Sequence, residues 1–299
     1  MKNYRVPETI RIGTRGSKLA LAQTELFIDA LHVFYPEVEC EQIIIKTKGD
    51  KILDKPLVEF GGKAVFVTEF EEAIKEGRID LAVHSAKDMP MELMEGLDIV
   101  CTLKREDVRD VIITRAGEKV GNISSPIIGT GSLRRQCQIR ALYPDVKCES
   151  LRGNVPTRIE KLRNGQYDGI ILAAAGLKRL QLHNEPDLSY EYIEIDKMVP
   201  AAGQGIIAIE GVAGHLTELL ENINDTKSKI ELFSERMVLK KLGAGCHEPV
   251  GVHSEYRQDG YVVLSVMKEC NGQIIKADGK ELLQNIDNLA KRLIGQLVL

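Results

Sequence analysis

The 299-residue chain has no tryptophan, and aromatic residues make up only 5% of it. Proteins that bind single-stranded nucleic acid stack bases on aromatic side chains, and this chain has few of them and a formal net charge of −4. Nucleic-acid binding is therefore disfavoured. The six cysteines form no Cys-x-x-Cys pair, which argues against a zinc site or a redox dithiol, so we expect no metal.

Long hydrophobic runs are also missing. No run approaches the roughly 20 apolar residues of a membrane span, and the first residues lack the apolar core of a signal peptide. We therefore expect a cytoplasmic protein that does not bind membranes. A hydrophobic content of 43% and a charged content of 28% are typical of globular proteins, and the length predicts two or three domains.

Short apolar runs alternate with helical patterns through the first two thirds of the chain, which predicts parallel α/β sheets. The first series has strands over 10–13, 42–45 and 80–83 and a helix over 68–76; the second has strands over 111–114, 127–129, 147–151 and 169–173 and helices over 133–142 and 156–164.

Beyond Asn224 the pattern changes to that of a small α+β domain. The run 205–209 reads as one more buried strand, whose partner the periodicity does not fix. The last segments are a helix over 226–242, strands over 250–254, 261–267 and 273–277, and a closing helix from Glu281.

Positive charge is concentrated between Thr130 and Leu180, where ten Lys or Arg stand against four acidic residues. Seven of the ten are arginine, whose planar guanidinium binds carboxylate or phosphate through two hydrogen bonds. In 129–135 a strand, a small-residue turn and a helix follow one another, so Thr130, Ser132 and backbone N–H groups are candidates for holding an anion. Arg152 and Arg158 flank a similar turn.

Two further turns follow predicted strands in the first domain. Arg15 and Ser17 lie in one, where Ser17 is also a good helix N-cap. Lys87 and Asp88 lie in the other, and the carboxyl ends of parallel strands are where α/β folds bind ligands. A solvated Lys-Asp pair is an equally simple interpretation. We interpret His84 as a hydrogen-bonded structural residue.

Cys246 lies in the stretch Gly243 to Pro249, where glycines leave room for a bulky group to approach the sulfur. Most cysteines in Gly-rich turns are inert, so this stretch alone is a weak signal. A cysteine hydrolase would need His or Asn partners that spacing cannot identify.

Taken together, the motifs resemble those of the porphobilinogen deaminase (hydroxymethylbilane synthase) family over nearly the whole chain. The resemblance rests on eight segments in order: 11–20, 61–63, 83–90, 129–136, 151–155, 174–180, 200–205 and the Cys246 segment.

The resemblance implies a transferase that condenses four porphobilinogen molecules into the linear tetrapyrrole hydroxymethylbilane, a step of porphyrin and heme biosynthesis, and releases ammonia at each addition. It also implies a dipyrromethane cofactor bound covalently to Cys246 through a thioether, a monomeric chain, and catalysis by Asp88. The implied cofactor ligands are Cys246, Lys87, Asp88, Thr130, Ser132, Arg134, Arg135, Arg152 and Gly153. The implied substrate ligands are Arg15, Ser17, Lys63, Phe66, Arg152, Arg158, Arg179 and Gln204.

The family fold implies two periplasmic-binding-protein-like α/β domains around a cleft and a small α+β C-terminal domain. The corresponding boundaries are 1–103 with 201–222, then 104–200, then 223–299, and they assign the strand near Ile206 to the first domain. The chain departs from the family pattern at Glu59 and at His247-Glu248. A noncatalytic, periplasmic-type carboxylate-binding module is the alternative, which predicts a signal peptide and leaves Cys246 without a role.

Overall fold

The computed structural model describes residues 6–47, 67–245 and 248–297. The chain divides into two compact units, Met1–Arg105 with Ile206–Ile230 and Glu106–Gly205 with Glu231–Leu299. Residues of the predicted third domain thus cluster mainly with the second unit, and the three-domain boundaries stay a prediction. In the described segments, every helix is too short or too polar to cross a membrane.

The strands and helices of the described residues have the following bounds. The strands are β1 (Thr9–Thr14), β2 (Glu39–Ile44), β3 (Leu81–Ser85), β4 (Leu97–Thr102), β5 (Asp110–Arg115), β6 (Ile127–Gly129), β7 (Lys147–Glu149), β8 (Gly169–Ala173), β9 (Leu188–Ile193), β10 (Ile207–Val212), β11 (Val250–Tyr256), β12 (Tyr261–Cys270) and β13 (Gln273–Leu282). The helices are α1 (Lys18–His32), α2 (Thr68–Lys75), α3 (Leu133–Leu142), α4 (Val155–Arg163), α5 (Ala174–Arg179), α6 (Thr217–Glu221), α7 (Thr226–Leu242) and α8 (Ile286–Leu297).

The first unit is built on a five-stranded sheet of order β2-β1-β3-β10-β4. Strand β1 pairs in parallel with β2 and β3, whereas β10 runs antiparallel to both β3 and β4. The prediction of a parallel sheet is therefore wrong for β10, because this strand enters the sheet in the opposite direction after the chain has passed through residues 106–205. Ile10, Ile12, Phe27 and Leu31 form part of the core between β1 and α1.

The second unit contains a sheet of the same design, with the order β7-β6-β8-β5-β9. Strand β6 is parallel to β7 and β8, and the reversed strand is β5, which pairs antiparallel with β8 and β9. In each sheet, therefore, neighbouring parallel strands end at one shared edge, as β1 and β3 do in the first unit and β6, β7 and β8 do in the second. That edge is where α/β sheets present ligand-binding turns.

The C-terminal segment is an antiparallel sheet, β11-β12-β13, covered by α8. Helix α8 buries Leu289 and Leu293, and Gly279 of β13 lies so close to it that an added Cβ would stand 2.6 Å from Leu289 Cδ1. The closing helix predicted from Glu281 is wrong at its start, because Glu281 pairs with Val262 in β13. The predicted fold class, two α/β sheets with a small α+β C-terminal segment, is confirmed.

Candidate functional site

Asp88 lies on a single 3₁₀ turn, Ala86–Asp88, directly after β3. The turn is fixed on both sides by buried residues: the Ala86 N–H donates to the Ile206 carbonyl at 3.0 Å, and Met89 is 1% exposed. Between these anchors Asp88 is exposed and Lys87 is half-buried. The turn therefore holds a carboxylate at the surface on a backbone that cannot easily move.

The turn after β1 carries Arg15 and Ser17 at the same sheet edge. Ser17 is the N-cap of α1, since its Oγ accepts the Ala20 N–H at 3.2 Å, so the predicted capping role is confirmed. The Gln23 amide of α1 donates to Ser85 Oγ at 2.9 Å. Helix α1 is thus bonded to the end of β3, and the two turns that carry predicted ligands are held in one frame.

His84 has a structural partner beneath the Asp88 turn. Its Nε2 lies 2.9 Å from Glu210 Oε2 of β10, and the two side chains are 7% and 0% exposed. The ring also meets Phe70 of α2 edge-on, with centroids 5.0 Å apart. The interpretation of His84 as a hydrogen-bonded structural residue is confirmed.

In the second unit, the segment between β6 and α3 carries Thr130 and Ser132. The Thr130 N–H donates to the Glu149 carbonyl at 2.9 Å, and its hydroxyl accepts the Ser132 N–H at 3.2 Å. Ser132 is the N-cap residue of α3, yet its side chain makes no capping hydrogen bond. The first turn of α3 therefore keeps backbone N–H groups that its own N-cap side chain does not satisfy.

Arg134 and Arg135 turn inward from the first turn of α3 onto Asp110, the first residue of β5. Arg134 Nη1 lies 2.7 Å from Asp110 Oδ2, and Arg135 Nη2 lies 2.7 Å from Oδ1. The Asp110 carboxylate is completely buried, and the two guanidiniums nearly so. Burial would raise the pKa of Asp110, but the two arginines outweigh it and hold that pKa well below its ordinary value. Asp110 was not predicted from the sequence.

The next turn at this edge, between β7 and α4, carries Arg152 and Gly153. Gly153 has a φ of +112°, a conformation that favours glycine. Arg152 is half-buried, and among the described residues no carboxylate forms an ion pair with it. Arg158 of α4 donates from Nε to the Gly153 carbonyl at 2.7 Å, which supplies one reason for a cation in the first turns of this helix.

Arg179, at the end of α5, donates from Nη2 to the Gly205 carbonyl at 2.6 Å. Burial lowers its pKa to about 10, although the charge of Glu106 opposes this shift. Gln204 is fully buried, and its Nε2 donates to the Val108 carbonyl at 2.7 Å and to Asp110 Oδ1 at 3.0 Å. The predicted substrate ligand Gln204 therefore also belongs to the Asp110 cluster.

Three predicted site residues, Lys63, Phe66 and Cys246, lie outside the described residues, as do the departures at Glu59 and His247. The other five cysteines have free thiols. Burial raises the pKa of four of them, to about 12 for Cys101. A raised pKa leaves less of the reactive thiolate at neutral pH, so these four thiols are poor nucleophiles.

Fold and site define an α/β protein that presents hydroxyls and cationic side chains at the strand edges of two like sheets, a donor set suited to carboxylate ligands. Comparison with known proteins identifies the family within this class. A family model described as "Porphobilinogen deaminase, dipyromethane cofactor binding domain" matches residues 10–218, and one described as "Porphobilinogen deaminase, C-terminal domain" matches residues 229–291. The chain belongs to the porphobilinogen deaminase family.

Two relatives support this assignment over most of their length. The porphobilinogen deaminase of Lachnospira eligens is 48% identical over 295 residues, covering 95% of this chain and 98% of that protein. That of Roseiflexus castenholzii is 42% identical and covers 90% of this chain and 88% of that protein. Among solved structures, the periplasmic VFT2 domain of Bordetella pertussis BvgS is similar with a TM-score of 0.42 and 14% identity, over 72% of this chain and 86% of that one.

The protein is accordingly a transferase that condenses four porphobilinogen molecules into hydroxymethylbilane with release of ammonia, on a dipyrromethane cofactor. The alternative of a noncatalytic binding module is set aside. The residues present fit the cofactor chemically: its pyrrole rings carry carboxylates, and the Arg134–Arg135–Asp110 cluster has one positive charge more than negative.

Proposed function

We propose that Cys246 holds the dipyrromethane through a thioether and that Asp88 acts at the reacting pyrrole. When bound, the cofactor supplies the terminal pyrrole carbon to which the first porphobilinogen is joined. The raised pKa values of four other thiols leave few competitors for this attachment. The glycines before Cys246 provide space for the attached group.

Asp88 acts where positive charge develops. In each cycle the aminomethyl C–N bond of porphobilinogen breaks and ammonia leaves, so the substrate pyrrole nitrogen gains positive charge. The cofactor, when bound, would supply the terminal pyrrole α-carbon that takes up the substrate methylene carbon and gives up a proton. A carboxylate held beside the nitrogen stabilises that charge and takes part in the proton transfers. The observation that carries this role is the exposed Asp88 on its anchored turn at the end of β3.

The cationic and hydroxyl side chains bind the acetate and propionate groups of cofactor and substrate. Each added pyrrole brings two carboxylates, so the growing chain needs many such donors. The role of Arg152 as a carboxylate ligand is supported by its guanidinium, which has no carboxylate partner among the described residues. The proposed cofactor ligands are Lys87, Asp88, Thr130, Ser132, Arg134, Arg135, Arg152 and Gly153, and the proposed substrate ligands are Arg15, Ser17, Lys63, Phe66, Arg152, Arg158, Arg179 and Gln204.

We further propose a monomeric, cytoplasmic protein that binds no nucleic acid and has the three domains predicted from the sequence. The scarcity of aromatic residues and the negative net charge support the absence of a nucleic-acid partner. A measurement of the molar mass in solution by light scattering tests whether the protein is monomeric.

Asp88→Asn tests the catalytic role, because it keeps the shape of the side chain and removes its charge. The expected kcat is lower by about 10²-fold or more, with a smaller effect on KM, since the lost interaction serves the transition state. Asp98→Asn is the matched control, because Asp98 is also exposed in the first unit and lies on β4, away from the turn after β3. Turnover by Asp88→Asn near the wild-type rate would exclude the role.

A further inference from the structure

The Asp110 carboxylate is bonded to three side chains at once. It accepts Arg134 Nη1 at 2.7 Å, Arg135 Nε at 3.0 Å and Nη2 at 2.7 Å, and Gln204 Nε2 at 3.0 Å. The remaining nitrogen of Arg135, Nη1, donates to the Ile171 carbonyl at 3.0 Å. Each nitrogen of the Arg135 guanidinium therefore donates one hydrogen bond to the protein, which fixes its orientation from two sides and uses three of its five N–H groups.

The cluster is buried and carries unequal charge. Two guanidiniums face one carboxylate, and in the part of the chain that the structure describes no second carboxylate is bonded to either arginine. Burial lowers the pKa of Arg134 while Asp110 opposes that change. A buried excess charge is unfavourable unless a counter-ion approaches it. The cluster is thus arranged to gain from a carboxylate at the α3 N-terminus, where Ser132 lies.

Asp110 itself is held rigidly. It begins β5, where it pairs with Ala173 of β8 and with Ile193 of β9. A long arginine side chain that is free in solution loses rotamer entropy when a ligand immobilises it. Because Arg134 and Arg135 are already bonded to Asp110 of β5 before the ligand arrives, that loss does not fall on the binding step.

The segment 199–205 connects the cluster to α7. The Val199 carbonyl accepts Arg134 Nη1 at 2.8 Å, and Gln204 reaches Asp110. Between them, the N–H of Gly203, whose φ is +73°, donates to the buried Glu235 of α7 at 2.6 Å. Helix α7 ends at Leu242, four residues before Cys246 in the sequence.

We propose that Asp110 is a positioning residue for cofactor attachment, which holds Arg134 and Arg135 ready for a cofactor carboxylate and ties them through Gln204 to the segment bonded to α7. The inference rests on the proposed function, in which these arginines receive the cofactor. Asp110 touches neither substrate nor cofactor in this scheme. Its effect falls on the loading of the protein and not on the chemistry of the loaded enzyme.

The test follows loading directly. Apoprotein is made in a host that cannot synthesise porphobilinogen, porphobilinogen is added, and the mass of the denatured chain is recorded with time. Asp110→Asn is expected to gain the dipyrromethane mass at least 10-fold more slowly than the wild type. Asp107→Asn is the matched control, because it removes another carboxylate paired with an arginine in the same unit and should load at the wild-type rate.

A folded Asp110→Asn protein that loads within twofold of the wild-type rate would overturn the inference, as would equal slowing in Asp107→Asn. If Asp110→Asn does not fold, Gln204→Met tests the inference instead, because it removes one hydrogen-bond donor to Asp110 and keeps the ion pairs of Asp110 with Arg134 and Arg135. It should slow loading about threefold, and wild-type loading would overturn the inference. Arg134→Gln distinguishes the proposed function from the positioning role of Asp110. Normal loading of Arg134→Gln would refute the proposal that Arg134 binds the cofactor. Slow loading of Arg134→Gln together with normal loading of Asp110→Asn would refute only the positioning role of Asp110.

Discussion

Asp107 provides a quantitative test of the electrostatics around β5. Its carboxylate is 11% exposed and accepts Arg109 Nη2 at 2.9 Å and Nε at 3.0 Å, while Lys178 Nζ lies 3.3 Å away. Burial by itself would raise the pKa of Asp107, but the hydrogen bonds and charge of Arg109 outweigh it and lower the pKa from 3.8 to about 2. At about 1.4 kcal/mol for each pH unit, this difference corresponds to roughly 2 kcal/mol of folding free energy.

The sign of the pH dependence follows from the lowered pKa. The contribution of Asp107 is fully present above the ordinary value of 3.8 and is lost as the pH falls through about 2. Asp107→Asn should therefore lower the free energy of unfolding by about 2 kcal/mol at pH 7 and by about half as much at pH 3, as measured by urea denaturation.

Asp187→Asn is the control for this measurement, because Asp187 also pairs with an arginine, Arg163, but its side chain is 50% exposed. Solvent screens such a pair, so its loss should have a smaller effect than that of Asp107. The reasoning is refuted if Asp107→Asn unfolds within about 0.5 kcal/mol of the wild type at pH 7, which is the range of an ordinary surface substitution. A loss that stays the same at pH 3 would refute it equally.

Two further substitutions probe packing near the site. His84→Ala leaves the buried Glu210 Oε2 without its hydrogen-bond partner and should lower the free energy of unfolding by about 1 to 3 kcal/mol, whereas His215→Ala, at an exposed position, should stay within about 0.5 kcal/mol of the wild type; equal losses in both variants would contradict the pairing. Gly251→Ala would place a Cβ 2.6 Å from the Val199 carbonyl oxygen, so it should lower the free energy of unfolding by about 1 to 3 kcal/mol in urea denaturation. Wild-type stability of this variant would show that the 199–205 segment can move aside to accommodate the added methyl group.

Local signals in the sequence predicted several of the helices closely. The helices predicted over 133–142 and 226–242 coincide with α3 and α7, and Ser17 caps α1 as expected. N-caps and apolar periodicity act over a few residues, so a single sequence contains them. The edge strands β4 and β9 were not predicted, because their pairing depends on partners far along the chain.

The candidate site shows the same division between local and long-range information. The strand-end turns with Asp88, Thr130 and Arg152 follow from strand and turn signals near them. Asp110 was missed because the contacts that bury it are made by Arg134 and Gln204, which are 24 and 94 residues away in the sequence. One signal was present: an acidic residue opens an apolar strand in a chain whose next segment has an excess of arginine.

The covalent attachment of the cofactor to Cys246 is the central claim, and the intact mass of the denatured protein tests it most directly. The account predicts that the wild-type chain is heavier than its sequence by one dipyrromethane and that Cys246→Ser has the unmodified mass. Fully active wild-type protein with an unmodified mass would contradict the account, as would a dipyrromethane adduct that persists in Cys246→Ser.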